Sequence, residues 1–342
     1  MVQVGDAALT SQPLSLSMSQ PSPPAALLVR LPNPLGDVVM ATPLLRSLRN
    51  GLPQTRIVVA GNAPYGALLH GLDSFDEFLA LDRSVPHDQV LAQARADTAL
   101  LLPNSWSSVL AARRAGIPRR IGRRNQMRQL FLHQSLPSIP GAAPMTELYA
   151  DFLPTLGLDR EVLPAELVSG VAPKTALPDS TPLIGVAPGA AFGPSKSYPK
   201  ALLIEALAEL HDKNGLTPLW LGSPNERAML EDFAAALPIE SVLPAVDAAG
   251  LDEAKALIRS CQVVLAMDNG ARHMAAALHV PQVVIYGPTH PAWSAHALEH
   301  TTILRREELD CLNCHHKICP KADHPCMNRI SPADVIAAVT TS

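Results

Sequence analysis

Short continuous apolar runs recur along this chain, each followed by a glycine-bearing turn and then by residues at helical spacing, and few folds admit that pattern. The run Ala26 to Leu31 (ALLVRL) leads into the turn PNPLGD at 32–37. VVMATPLLRSLRNGLP then places apolar residues at helical spacing until Gly51 and Pro53 stop it. RIVVAGN at 56–62 and TALLLPNS at 98–105 read as further strands, with helices predicted over 65–72 and 107–116. A run that is apolar without alternation belongs to a strand covered on both faces, the condition of a parallel sheet sandwiched by helices. Strands of this kind alternating with helices predict βαβ units.

From about 133 to 182 the pattern loosens, and prolines at 137, 140, 144, 154, 164, 173, 178 and 182 surround one predicted helix over 146–156. A second series then opens with a strand at 182–189. It continues with a helix at 201–214, a strand at 217–223, helices at 225–237 and 251–261, a strand at 263–270, a helix at 272–278 and a strand at 282–289. Because both halves open alike, the predicted architecture is α/β, two Rossmann-like doubly wound domains facing each other across a cleft. The expected divisions are a disordered tail at 1–25, an N-terminal domain at 26–165, a linker at 166–181 and a C-terminal domain at 182–342 that ends in a Cys-rich tail segment. Ligands of such sheets sit at the carboxyl ends of the strands.

Composition narrows the function classes. With 27 Lys+Arg against 31 Asp+Glu the formal charge is −4, which argues against a general nucleic-acid binder, and 47% hydrophobic residues exclude wholesale disorder. No stretch approaches the roughly 18 apolar residues of a membrane-spanning helix. The Ser/Pro-rich N-terminus has no Lys or Arg before Arg30, unlike a secretory signal, so a cytoplasmic protein is expected.

Four strand-end loops are candidates for chemistry: PNPLGD (32–37), PGAAFGPSK (188–196), LGSPNE (221–226) and MDNGARH (267–273). Glycines there let backbone N–H groups approach phosphate oxygens, and a following helix N-terminus favours negative charge. None is a Walker motif or a dinucleotide fingerprint. Lys196 adds a cation beside one loop, while Asp37 and Asp268 are placed either for chemistry or as helix caps.

Taken together, RLPNPLGDVVMATPLLRSLR, LPNSWSSVLAARRAGIPRRIG, GAAFGPSKSYP, MDNGARHMAAAL and YGPTHPAW resemble the successive signature blocks of the bacterial heptosyltransferases of glycosyltransferase family 9, most of all the type II lipopolysaccharide enzymes. The blocks run from about Leu27 to Val339. The resemblance implies a GT-B fold with the nucleotide sugar held mainly by the C-terminal domain. It also implies inverting transfer of L-glycero-D-manno-heptose from its ADP form to the inner core of lipopolysaccharide. It implies that Asp37 is the general base and an acceptor-side residue, and that Lys196 neutralises the departing diphosphate. Gly193, Lys196, Glu226, Asp268, Asn269, Gly270 and His273 become donor-binding candidates, Glu226 at the ribose. We expect a metal-independent enzyme with no cofactor, no nucleic-acid partner, and a peripheral contact with the inner face of the cytoplasmic membrane, where the acceptor lipid lies. Three positions depart from the family pattern. Asn269 replaces Ser or Thr, Ser197 and Tyr198 replace Arg and Trp, and His290 replaces Asp or Ser.

Two further clusters stand out. RRAGIPRRIGRRNQMRQ holds seven arginines, among them Arg120, Arg123 and Arg128, which are candidates for the acidic groups of the acceptor; a solvated face is the plainer reading. Cys311, Cys314, Cys319 and Cys326 form C-x2-C-x4-C-x6-C, read either as reduced structural thiols or as ligands of an unassigned metal. Rival functions are the same fold acting on another nucleotide sugar or a protein acceptor, and a metal-binding module built on the cysteines.

Overall fold

The computed structural model describes residues 22–139, 141–244 and 250–341; the tail expected over 1–25 lies outside them as far as residue 21. The first half folds as β1 (Ala26–Arg30), α1 (Leu35–Met40), α2 (Thr42–Gly51), β2 (Arg56–Asn62), α3 (Tyr65–Leu69) and β3 (Glu77–Leu81). It continues through α4 (His87–Ala92), β4 (Thr98–Leu101), α5 (Trp106–Arg114), β5 (Arg119–Arg123), β6 (Gln134–Leu136) and α6 (Met145–Ala150). Its sheet has the order β3-β2-β1-β4-β5-β6, every neighbouring pair parallel. Strands reverse direction of growth between β1 and β4, so the loops after these two strands open onto one crevice.

The second half folds as β7 (Leu183–Ala187), α7 (Lys200–Asn214), β8 (Thr217–Trp220), α8 (Arg227–Ala236), α9 (Leu251–Arg259) and β9 (Val263–Met267). Then come α10 (Gly270–Ala277), β10 (Gln282–Ile285), β11 (Thr301–Leu304), α11 (Pro325–Asn328) and α12 (Pro332–Thr340). Its sheet has the parallel order β11-β10-β9-β7-β8. Each central strand is buried throughout, as its uninterrupted apolar sequence requires.

Where a single helix is predicted after the first turn, the chain forms α1 and α2, broken at Ala41. Pro43 in the first turn of α2 has no N–H to continue the earlier ladder. The arginine run contains a strand, β5, and the helix predicted over 146–156 is α6 followed by a separate 3-10 turn at Leu153–Leu156.

The two halves share apolar contact. Val38, Leu44 and Leu48 of the first half and Leu257, Met274 and Ala277 of the second belong to one buried cluster. Lys255 Nζ donates to the carbonyl of His70 at 3.0 Å, and Leu167 N donates to that of Ala277 at 3.0 Å. α1 packs on α10, bringing the loop after β1 to the loop after β9. This is the GT-B arrangement.

Candidate active site

At the end of β1 the chain turns through Asn33 and Pro34 into α1, and Asp37 lies in the first turn of that helix. The helix start, Pro34, has no side-chain cap, and among the described residues Asp37 accepts no hydrogen bond. Its carboxyl is raised from 3.8 to about 6, chiefly because burial disfavours the charge and secondarily because the Asp268 carboxylate faces it from the other domain. The Asp37 carboxyl thus makes no capping hydrogen bond among the described residues and stands free at the cleft.

Gly36 makes this approach possible. A Cβ at that position would lie 2.5 Å from the ring of His273, so only glycine lets α1 come this close to α10. His273 is buried, and its Nδ1 lies 2.9 Å from Nε2 of His296. Burial, with Arg272 beside it, holds His273 well below the usual imidazole range, and His296 is pushed down to about 3 for the same two reasons. The pair is neutral, so one ring donates to the other.

On the opposite wall, Asp268 follows β9 and accepts from Lys196 Nζ at 2.5 Å and from Thr289 Oγ1 at 2.8 Å. Burial alone pushes Asp268 upward, but the Lys196 ammonium and these hydrogen bonds outweigh it and hold the carboxyl below its ordinary value. Lys196 itself is 8% exposed, and its Nζ also donates to the Asp268 carbonyl at 3.0 Å. Two of its three donors are thus engaged, the ammonium also lies 5.0 Å over the Phe192 ring, and one donor has no hydrogen-bond partner among the described residues.

The loop carrying Lys196 is clamped from behind. Gly193 has φ +152°, and a Cβ there would lie 2.6 Å from the carbonyl oxygen of Lys317. Ser195 donates from N to that carbonyl and from Oγ to the carbonyl of His316, while His324 Nε2 lies 2.8 Å from the Ser195 carbonyl. The Cys-rich segment is therefore part of the scaffold of this loop. Its four thiols are free and line a cavity of about 120 Å³ together with His316 and His324. Among the described residues no three of His, Cys, Asp and Glu stand together as a metal site. Cys261, apart from these, is buried and donates to the Leu257 carbonyl, a packing role.

The remaining donor candidates are placed differently from one another. Asn269 caps α10, its Oδ1 accepting from Ala271 N at 3.0 Å and Arg272 N at 3.4 Å. Its amide donates to the carbonyls of Ala187 and Gly189, so its side chain ties β7 to β9 and has no donor left for phosphate. Gly270 opens α10 against Leu35 of the facing domain. Glu226 accepts from N and Oγ of Ser223 through Oε2, and its Oε1 lies against Gly189. Tyr198 is a core residue that donates to the Ile330 carbonyl. His290 caps the turn at Pro291–Ser294.

The arginines expected at the acceptor side divide sharply. Arg120 donates to the carbonyls of Phe131, Ile117 and Pro118. Arg123 is 5% exposed and is ion-paired to Asp151 at 2.6 Å, a structural brace between β5 and α6. Arg128 is fully buried, donates from Nη1 to the Pro103 carbonyl at 2.6 Å, and leaves Nε and Nη2 without a partner. Burial lowers its guanidinium to about 10. Both idle donors are sealed from solvent, and a Cβ at Gly122 would lie 2.9 Å from Nη2. Thr289, Ser294, Tyr286 and Arg272, which surround Asp268, are not singled out by the sequence, although Tyr286 and Thr289 lie in the YGPTHPAW block and Arg272 in MDNGARHMAAAL.

The chain as a whole is similar to known proteins. Residues 85–324 match Glycosyltransferase family 9 (heptosyltransferase). The chain is 31% identical over 307 residues to lipopolysaccharide heptosyltransferase 2 of Escherichia coli K12, covering 82% of this chain and 87% of that one. It is 30% identical to the Salmonella typhimurium protein of the same name, with the same coverage. The solved structure of the E. coli ADP-heptose lps heptosyltransferase II superposes with a TM-score of 0.78 at 26% identity, over 92% of this chain and 98% of that one. A chain with these two sheets, this cleft and these relatives belongs to glycosyltransferase family 9, the heptosyltransferases.

Proposed function

We propose that this glycosyltransferase moves L-glycero-D-manno-heptose from ADP-heptose, with inversion, onto the inner core of lipopolysaccharide. The names of the E. coli and Salmonella relatives support the acceptor, and that of the E. coli structure supports the donor. The observation that carries the reading is the opposition of Asp37, a carboxyl without hydrogen-bond partners among the described residues, on the N-terminal wall, to the Lys196–Asp268 pair on the C-terminal wall.

In this reading the acceptor hydroxyl gives its proton to Asp37 as its oxygen attacks the anomeric carbon, and the bond from that carbon to the diphosphate oxygen breaks on the opposite face. General-base assistance of this kind contributes typically about 10² to 10⁴-fold. ADP leaves with the bonding electrons, and the free donor of Lys196 meets the developing charge. Asp268 holds Lys196 in place, and the neutral His273–His296 pair supplies a polar wall without adding charge. Gly193 shapes the Lys196 turn, Gly270 keeps the cleft narrow, and Glu226 faces the ribose. Arg128 acts on the acceptor side as a buried positive charge only, since its idle donors are sealed from solvent. In this reading the lipid acceptor is met from the cytoplasmic side by peripheral contact; among the described residues no helix is long and apolar enough to cross a membrane.

Incubation with ADP-heptose and a heptose-deficient core acceptor should release ADP, and unlabelled ADP should compete where UDP does not. No ADP release, or competition by UDP alone, would overturn the assignment.

A further inference from the structure

Between Asp97 and Glu147 the chain contains seven arginines and no acidic residue, although the whole protein has a formal charge of −4. Arg119 and Arg120 are half-buried, and Arg123 and Arg128 are buried. Arg113, Arg114 and Arg124 stay exposed. Among the described residues, the arginine ion pairs of the N-terminal half are made by Arg46, Arg49, Arg56, Arg123 and Arg160, and by none of these three.

Large apolar side chains project from the same place. Met127 is 64% and Leu130 70% exposed, on either side of Arg128, which is fully buried. Gln126 and Met127 both adopt left-handed backbone, with φ of 45° and 63°, turning the chain into the short helical turn Arg128–Phe131. Behind that turn, Phe131 packs edge-on against Trp106 with centroids 5.6 Å apart, and the Arg113 guanidinium lies 5.0 Å over the Phe131 ring. Asn125 donates to the Asn104 carbonyl, so this protrusion hangs from the loops that end β4 and β5, directly over the buried Arg128.

Aliphatic tips, a half-buried tryptophan and unpaired arginines without intervening carboxylates are the composition of an interfacial anchor. The cations are drawn to anionic headgroups, and the apolar tips enter the boundary with the acyl chains. We infer that Trp106, Arg113, Arg114, Arg124, Met127 and Leu130 dock the enzyme on an anionic phospholipid bilayer. That surface holds the carboxyl edge of the N-terminal sheet against the membrane, beside Arg128. The orientation rests on the acceptor being lipid-linked; the binding itself does not.

Full-length protein should co-sediment with vesicles of phosphatidylethanolamine and phosphatidylglycerol, release at high salt, and leave phosphatidylcholine vesicles unbound. Each arginine near such a surface is worth about five-fold in affinity. Arg113→Ala, Arg114→Ala and Arg124→Ala together should therefore weaken binding by about two orders of magnitude, and Met127→Ser with Leu130→Ser by several-fold. All five side chains are exposed or sit over exposed surface, so the double variant provides the test even where the triple one folds poorly. Both variants should turn over a deacylated, water-soluble acceptor as the parent does while losing activity on acceptor embedded in vesicles. Absent vesicle binding, equal binding to both lipids, or parent-like binding by both variants would overturn the docking surface. Vesicle binding without turnover of the soluble acceptor would uphold the surface and overturn the transferase reading instead.

Discussion

The Lys196 ammonium lies 2.5 Å from the carboxylate of Asp268 and 3.0 Å from its carbonyl oxygen, latching the loop after β7 to the end of β9. Both side chains are mostly buried, 10% and 12% exposed, so the pair stands in a region where neither charge tolerates losing its partner.

Lys196→Ala should therefore do two things. A charge-assisted contact to the donor diphosphate is worth roughly 1.5 to 3 kcal/mol, so ADP affinity should fall about 10 to 100-fold. The unpaired Asp268 should also lower the melting temperature. Calorimetric titration with ADP and thermal unfolding check both, and an unchanged ADP affinity would remove Lys196 from the donor site.

The closeness of α1 and α10 makes Gly36 a second point of leverage. The added methyl of Gly36→Ala meets the His273 ring at 2.5 Å, and that ring is held by His296 behind it. The domains must part to relieve the clash. Turnover should drop by at least an order of magnitude while ADP affinity, which depends on the other wall, changes little. Parent-like steady-state rates would show that the close approach is dispensable.

Arg123 and Arg128, alike in sequence, should respond in opposite ways. Arg123→Ala leaves Asp151 without one of its cations and strips donors from the carbonyls of Pro137 and Leu148, so it should destabilise the fold, with acceptor KM following only as stability allows. Arg128→Ala leaves a cavity but also removes an uncompensated buried charge with one protein acceptor and two idle donors, so it should cost less in melting temperature than Arg123→Ala while the lost positive charge raises acceptor KM. Measuring KM and melting temperature for both decides it; a large stability loss in Arg128→Ala with unchanged KM would make that arginine structural.

The contrast shows what the sequence can and cannot convey. The strands Leu183–Ala187, Val263–Met267 and Gln282–Ile285 are legible because burial on both faces writes itself as unbroken apolar sequence. The strand Arg119–Arg123 is not, because its charges bend back onto nearby carbonyls and a carboxylate, a choice that only the folded neighbourhood makes. In the site, Asp37 and Lys196 stand out as isolated charges in glycine turns. Asn269 shows a competent donor but not that Ala187 and Gly189 have already claimed it, and the meeting of His273 with His296 depends on the path of β10 and the loop beyond it.

Asp37 offers the most discriminating test because its two candidate roles predict opposite signs. As a base it must be ionised, so with a folded value near 6 the rate should climb with pH through about 6 and level above 7. Asp37→Asn should lose about 10² to 10⁴-fold in kcat and with it that limb of the profile, ADP affinity being retained. Stability follows from the same shift. The folded carboxyl binds its proton more tightly than the unfolded one at 3.8, so its contribution is most favourable below about pH 4 and is lost as pH rises through about 6. Replacing a buried charge by a neutral amide should thus leave the protein as stable as the parent, or more so, at neutral pH, with the difference vanishing in acid. A helix cap predicts the reverse. If Asp37→Asn melts several degrees lower at neutral pH and keeps most of its turnover, Asp37 is serving the helix, and the proton must go elsewhere.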